Sequence, residues 1–338
     1  MSTTLKIGFL FFVLLLFFWL NLIWGSVEIP LHRILDVLLG NSSQKSDVTI
    51  VWDFRMPKIL AALISGASLG VSGLLMQTFF RNPIAGPFVL GISSGASLGV
   101  ALFILATGWL SSFALFANLG TSNWMLIIMA MLGAGLVLFL LMLVSWRISD
   151  INTLLILGLM FGSATSAIVS LLQYFSSQQA LQQFVLWSMG SLTGVTWEEL
   201  KLLLPICMAV LGLTFGLTKS LDALLLGEQY ALSMGVHVRQ AQQKIILVTA
   251  ILAGGITAFC GPIAFVGIAV PHLARMLFQT HQHLTLLIGT ILLGMITLLF
   301  CQFIAQLPGS DQMLPINVVT SFLGAPMVIY IVLSKQTV

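Results

Sequence analysis

SGASLGVSGLLMQTFFRNPIAGPFVLGISSGA, residues 65–96, decides how this chain is read. It opens as an apolar run dense in Gly and Ser, breaks at Arg81-Asn82-Pro83 and Pro87, and resumes as a second apolar run. The heptamer SGASLGV occurs at 65–71 and again at 94–100, and each copy carries a GxxxG pair, Gly66/Gly70 and Gly95/Gly99. Small residues at that spacing let helix backbones approach closely in lipid, where packing rather than hydrophobicity drives association. Prolines end helices and hold the following chain extended. The stretch therefore predicts two closely packed membrane helices joined by a stiff loop.

Composition extends this reading to the whole chain. Of 338 residues, 59% are hydrophobic and 7% charged, and the mean hydropathy is +1.09. A soluble domain carries about 25% charged residues. The 13 cations and 10 acids here cannot cover a water-facing surface of this size, so the solvent for most of it is a lipid bilayer. Long uninterrupted runs indicate helices, whereas a β-barrel would show short alternating segments. The expected fold is all-α, one polytopic membrane domain over 1–338, with spans near 5–24, 57–80, 88–108, 123–146, 151–175, 200–218, 241–259, 262–276, 284–305 and 315–334. The first is read as a retained helix, because no small-residue cleavage site follows it. The run 241–276 is interrupted by Gly254, Gly255, Gly261, Pro262 and Gly267. Broken helices are tolerated at membrane depth only where protein or a cavity satisfies the freed backbone, so this region is expected to face inward.

Cation placement sets the orientation. With the N-terminus in the cytoplasm, Lys6, Arg81, Arg147, Lys219, Arg239, Lys244, Arg275 and Lys335 fall inside, while Arg33, Lys45, Arg55, Lys58 and Lys201 fall outside. Of the acids, Asp150, Asp222 and Glu228 fall inside. A net charge of +3 makes no nucleic-acid surface.

Few residues invite covalent chemistry. Gly91-Ile92-Ser93-Ser94-Gly95 matches GxSxG, which with His272 as base would suit an intramembrane serine hydrolase. A nucleophile elbow needs strand, turn and helix, and this stretch opens an apolar helix, so small residues for packing are the expected reading. His281 and His283 supply at most half a tetrahedral metal site and read as solvated loop residues. Cys207, Cys260 and Cys301 stand singly in apolar runs, with no metal-ligand spacing. No metal site and no cofactor are expected. No GxxxxGK[ST] occurs, so an ATP-driven process would need its ATPase on another chain. Charges sit at span ends rather than mid-span, which disfavours a proton relay.

Two polar stretches remain. One is the loop with Asn82 and Ile84. The other is LDALLLGEQYALSMGVHVR, 221–239, which alternates apolar and polar residues. Leu221, Leu224 and Leu225 share a face before Gly227; Tyr230, Ala231 and Met234 share one before Gly235, a candidate C-cap. The pattern predicts two short amphipathic helices with a joint at Gly227, lying on the membrane surface or in a partner's groove. Glu228 at the start of the second suits that helix's dipole.

Six motifs in order resemble one family, the FecCD-type permeases of bacterial ABC importers for ferric siderophores, haem and cobalamin. They are Arg55-Met56-Pro57-Lys58, the stretch 65–96, Trp187-Ser188-Met189-Gly190-Ser191-Leu192, LLLGEQYALSMGV at 224–236, GPIAFVGIAVPHLAR at 261–275 and LPINVVTSFLGAPMVIY at 314–330. The resemblance implies a dimer of ten-span permease subunits, homo- or heteromeric, in the bacterial inner membrane. An ABC ATPase subunit and a periplasmic or lipoprotein substrate-binding protein would be its partners. It implies no enzymatic step in this chain. Leu221, Leu224, Leu225, Gly227, Glu228, Met234 and Gly235 would lie in the segment that docks on the ATPase and couples it to the spans. Asn82 and Ile84 would form the cytoplasmic gate. Arg55 and Lys58 would meet acidic residues of the binding protein in rim salt bridges, which set orientation and on-rate more than affinity. A ferric siderophore is the expected cargo, with haem, cobalamin or molybdate as alternatives. The chain departs from the family pattern at Lys58, where arginine is usual and a bidentate fork is lost. It departs again at Cys301-Gln302-Phe303-Ile304-Ala305-Gln306, which lacks an Asp and a third docking arginine, and at Asn317, where glycine is common.

Overall fold

Apolar residues on every side of 56–79 leave that segment no water-facing stripe, and it becomes the centre of the bundle. The computed structural model describes residues 2–25, 27–41, 44–105, 123–145, 151–306 and 313–334. Arg147, Asp150, Lys335 and the last residues of the spans expected to end at 108 and 146 lie outside these. In chain order the helices are α1 (Thr3–Ile23), α2 (Leu31–Leu38), α3 (Lys45–Thr49), α4 (Met56–Phe79), α5 (Ile92–Leu105), α6 (Asn123–Ser145) and α7 (Ile151–Tyr174). They continue with α8 (Gln178–Ser188), α9 (Trp197–Leu225), α10 (Glu228–Ser233), α11 (Val238–Cys260), α12 (Val266–Phe278), α13 (His283–Ala305) and α14 (Ile316–Ser334). A π-helical stretch, Ile50–Arg55, joins α3 to α4. Seven of these helices are long and apolar enough to cross a membrane, and α5, α12 and α14 are shorter apolar ones. They fall on the ten expected runs.

The repeated heptamer acts as its glycines predict, each copy against a different helix. In α4, a Cβ on Gly66 would lie 2.1 Å from the Gly294 carbonyl oxygen of α13. In α5, a Cβ on Gly99 would lie 1.9 Å from the Met129 oxygen of α6. Only glycine allows either approach. Around α4 stand α9, α11, α12 and α13, with α5, α6 and α7 as a neighbouring group. α1 leans on α13 from the periphery: Asn21 Nδ2 donates to Leu299 O at 3.0 Å, and the Phe17 and Phe300 rings meet edge-on at 5.4 Å.

The interrupted run behaves as membrane physics requires. α11 stops at Gly261, with φ +74°, and α12 starts after Phe265, with φ +65°. The freed backbone between them finds partners: Ser191 N donates to Cys260 O at 2.8 Å, and Ala264 N donates to Asn317 Oδ1 at 3.0 Å. Asn317 thus uses its side chain to hold the break.

One boundary differs from expectation. α9 does not end at 218 but runs to Leu225. Leu217, Leu221 and Leu224 continue its buried stripe, and the charges Lys219 and Asp222 do not interrupt it. Gly227, at φ +116°, is the first residue that cannot continue the helix.

Candidate functional site at the two ends of the bundle

Polar side chains gather at two opposite ends, here called the Arg55 end and the His283 end. At the first, α1 stops at Ile23 with its last carbonyls unpaired, as every helix does. Arg55 supplies the donors. Its Nη1 binds Leu22 O, and also Ile23 O at 2.9 Å, and its Nη2 binds Val27 O. A cation at a helix C-terminus also suits the dipole. Gly25 leaves it room, since a Cβ there would lie 2.9 Å from Nη2. Lys58 Nζ lies 3.5 Å from Met313 Sδ. With the Gln306 amide turned to place its oxygen 3.1 Å from Lys58 Nζ, its nitrogen donates to Trp24 O at 3.0 Å.

These contacts correct the expectation of exposed rim salt bridges at Arg55 and Lys58. Arg55 is 7% exposed and Lys58 is also buried. Their heads face this chain's own carbonyls and amides because the segment 22–27 folds back over the start of α4. Gln306, where the resemblance calls for an arginine, belongs to the same internal set. Among the described residues, ion pairs at this end include Arg33–Asp47 at 3.2 Å and the exposed Lys201–Glu198 at 2.6 Å.

The His283 end holds the proline loop and the 221–239 stretch. Arg81, at φ +47°, turns the chain out of α4. Asn82 N donates to Gln77 O at 3.1 Å, and Asn82 Oδ1 accepts from Ile84 N at 3.1 Å, an Asx turn that fixes the loop. Ile84 is exposed at its tip. The first expected short helix is instead the last turns of α9. Leu221 and Leu224 are buried in this chain, so neither can seat in a partner's groove; the continuous stripe that extends α9 is the reason. Ala231 is buried too. Left exposed are Leu225 and, at 60–66%, Leu226, Tyr230, Leu232 and Met234. They surround the Gly227 joint and α10, with Gly235 at φ +80° closing the turn. Glu228 Oε1 accepts from Gln242 Nε2 at 3.1 Å, tying α10 to α11.

His283 also departs from expectation. It is no solvated loop residue: it is 1% exposed, because it opens α13 beneath the ends of α4 and α9. Its Nδ1 lies 2.7 Å from Asp222 Oδ1, its backbone N donates to the same oxygen at 2.9 Å, and its Nε2 meets Thr78 Oγ1 at 2.9 Å. Beside it, Arg275 Nη1 donates to Gln77 Oε1, and Gln77 Nε2 donates to Ile268 O at 3.0 Å. Spacing within the sequence could not reveal this cluster, since its members lie on different helices. His281 is exposed.

No group of His, Cys, Asp and Glu suited to a metal ion occurs among the described residues. Cys207, Cys260 and Cys301 are buried free thiols. Ser93 stands in the first turn of α5, a helix, without the strand that an elbow needs, and the hydrolase reading finds no support.

Comparison with known proteins agrees with this architecture. The model of the FecCD transport family matches residues 13–334. The chain is 35% identical to the hemin transport system permease protein HmuU of Yersinia pestis, over 98% of this chain and 96% of that protein. It is 35% identical to the vitamin B12 import system permease protein BtuC of Klebsiella pneumoniae, covering 85% of this chain and 83% of that one. A solved ABC transporter, assigned there to the metal-chelate type and in an inward-facing conformation, superposes with a TM-score of 0.84 at 28% identity, covering 98% of this chain and all of its counterpart. An all-α bundle of apolar helices, matched in sequence and shape over nearly its whole length to transport permeases, is a membrane transport subunit and not an enzyme: the chain belongs to the FecCD transport family.

Proposed function

We propose that this chain, as one permease domain over its whole length, carries a metal chelate inward across a bacterial inner membrane. It works as half of a dimer, fed by a binding protein and driven by a separate ABC ATPase. The single observation that carries this reading is the exposed apolar patch of Leu225, Leu226, Tyr230, Leu232 and Met234 around the Gly227 joint, in a chain of this family. Apolar side chains on a polar end of a membrane protein call for a partner, and helix-in-groove docking is the mode that a short amphipathic helix suits. The His283 end is then cytoplasmic, which agrees with Lys6, Arg81, Lys219, Arg239, Lys244 and Arg275 in the cation count. Asn82 and Ile84 stand at the inner gate, and Gly227, Glu228, Met234 and Gly235 belong to the coupling segment. At the opposite, periplasmic end, Arg55 and Lys58 shape the docking surface from beneath, by holding 22–27 against α4.

The relatives' names put haem and cobalamin beside the ferric siderophore expected from the family at large. Uptake of a panel tests all three: radiolabelled ferric siderophores, hemin and cyanocobalamin, in cells with and without the gene. Dependence of one chelate on the gene, restored by its return, fixes class and cargo together. Gene-independent uptake of every chelate would overturn the metal-chelate reading and bring molybdate forward.

A further inference from the structure

We propose that Asp222, His283 and Thr78 form the positioning contact through which movement of the coupling segment reaches the proline loop. The inference rests on the reading of those two segments given above.

Three helix ends converge on one imidazole. Asp222 lies in the last turns of α9, five residues before the Gly227 joint. Thr78 is the penultimate residue of α4, three before Arg81, where the proline loop begins. His283 is the first residue of α13. The Asp222 carboxylate can only accept, so His283 Nδ1 must carry the proton that it shares with Asp222 Oδ1 at 2.7 Å. That oxygen also accepts the His283 backbone N–H at 2.9 Å, one of the orphan donors of the α13 N-terminus. The other ring nitrogen, Nε2, meets Thr78 Oγ1 at 2.9 Å, and the Thr78 hydroxyl reaches its own helix at Leu74 O, 2.9 Å away. Every polar atom of the imidazole has a partner at a site 1% exposed.

Such a network is short and directional: the Asp222 carboxylate is half-exposed and can rehydrate, but His283 and Thr78 are buried, so water does not readily take the place of the partners they lose. A shift of the end of α9, driven through the joint, must move Asp222. The imidazole then either follows, carrying Thr78 and the end of α4 with it, or leaves buried groups unpaired. The α4 end is held on its other side by Gln77, through Arg275 and Ile268 O. The proline loop therefore hangs from a helix end that is gripped on both sides, with α9 on one of them.

The test uses the permease with its ATPase subunit in inside-out membrane vesicles. The native cysteines are buried, so a single reporter, Ile84→Cys, can be labelled by a membrane-impermeant maleimide. The readout is the ratio of labelling rates between the ATP–vanadate and nucleotide-free states. Coupling mutations shift such ratios by about 2- to 30-fold. The reporter background is expected to show a ratio that differs from one by at least about threefold, and adding Asp222→Ala is expected to return it to about one while the ATPase subunit still co-purifies. Asp222→Asn, which keeps an oxygen for both donors, is expected to preserve the response; a loss equal to that of alanine would overturn the hydrogen-bond account. If Asp222→Ala does not assemble, Thr78→Val is read in its place, since it keeps the shape and removes only the hydroxyl, and a loss of response is again expected. A response unchanged in the variant read overturns the proposal. Glu228→Arg in the same background separates the two levels. If it abolishes the response and the cluster variants do not, only the cluster assignment fails. If the reporter ignores nucleotide altogether, the gate reading fails and the proposal with it.

Discussion

The Arg55 end and the His283 end use their polar residues in opposite ways. At the Arg55 end, cations that a sequence reader would assign to a partner are turned inward onto Leu22 O, Ile23 O, Val27 O and Gln306. At the His283 end, apolar residues that a reader would bury are turned outward, while beneath them a buried His and a buried Thr line up with a half-exposed Asp. The difference teaches that residue type alone does not mark an interface in a membrane protein. What differs is where the cations and the apolar residues go: the first end turns Arg55 and Lys58 onto its own chain although Leu39 and Phe54 there stay exposed, and the second gathers exposed apolar residues around the single Gly227 joint.

The strongest test of the contrast is Arg55→Met. It removes the donors of one buried and two part-buried carbonyls, and bonds from charged donors are worth about 1.5–3 kcal/mol each, less what water can replace. We expect a loss of about 2–4 kcal/mol in stability, read as a lower Tm of the detergent-solubilised protein. A wild-type Tm with impaired binding-protein affinity would restore the rim salt bridge and break the comparison. Next in size is Glu228→Arg. It places a cation at the N-terminus of α10, against the dipole, removes the acceptor of Gln242, and reverses a charge on the proposed docking face. Chelate uptake should fall by at least about tenfold, or 1.4 kcal/mol, with protein levels in the membrane maintained. Normal transport would remove the coupling role.

Smaller effects sharpen the picture. Replacing Tyr230 and Leu232 together by Ser should leave Tm within experimental scatter, because both are exposed, yet weaken ATPase co-purification by about three- to tenfold. A Tm drop without loss of the partner would mean that the patch packs on its own chain. The smallest change expected is Lys58→Gln. It keeps a donor toward Gln306 and Met313, and should cost under about 1 kcal/mol. A larger loss would show that the ammonium charge itself is needed there.

The sequence carried the spans well because a span is a local property. Hydrophobic runs of 18 or more residues need no partner to declare themselves, and the SGASLGV glycines announce close approach from either copy. What it carried poorly depends on distant chain. Arg55 is buried by carbonyls about thirty residues before it, and His283 by an Asp 61 residues away. The overrun of α9 was hidden for another reason. Lys219 and Asp222 look like the end of a membrane span, but the buried Leu217–Leu221–Leu224 stripe continues past them. Of the residues expected in the coupling segment, Gly227 and Gly235 take the positive-φ turns that their type suggests, while Leu221 and Leu224 lie buried in this chain, because a helical face does not say which neighbour it meets.

The central position of α4 has a consequence for the bilayer itself. In the segment leading into and through α4, 89% of the apolar window is buried, against 17% in α1 and 22% in α7. Within this chain α1 and α7 are thus open and α4 is enclosed, so lipid or a partner subunit can reach the first two and hardly the third. When the hydrocarbon layer thickens or thins, a mismatched helix tilts or the lipid around it deforms. Whichever open helices face lipid would absorb that change, and the enclosed helix that ends at the proline loop would keep its angle across membranes of different thickness.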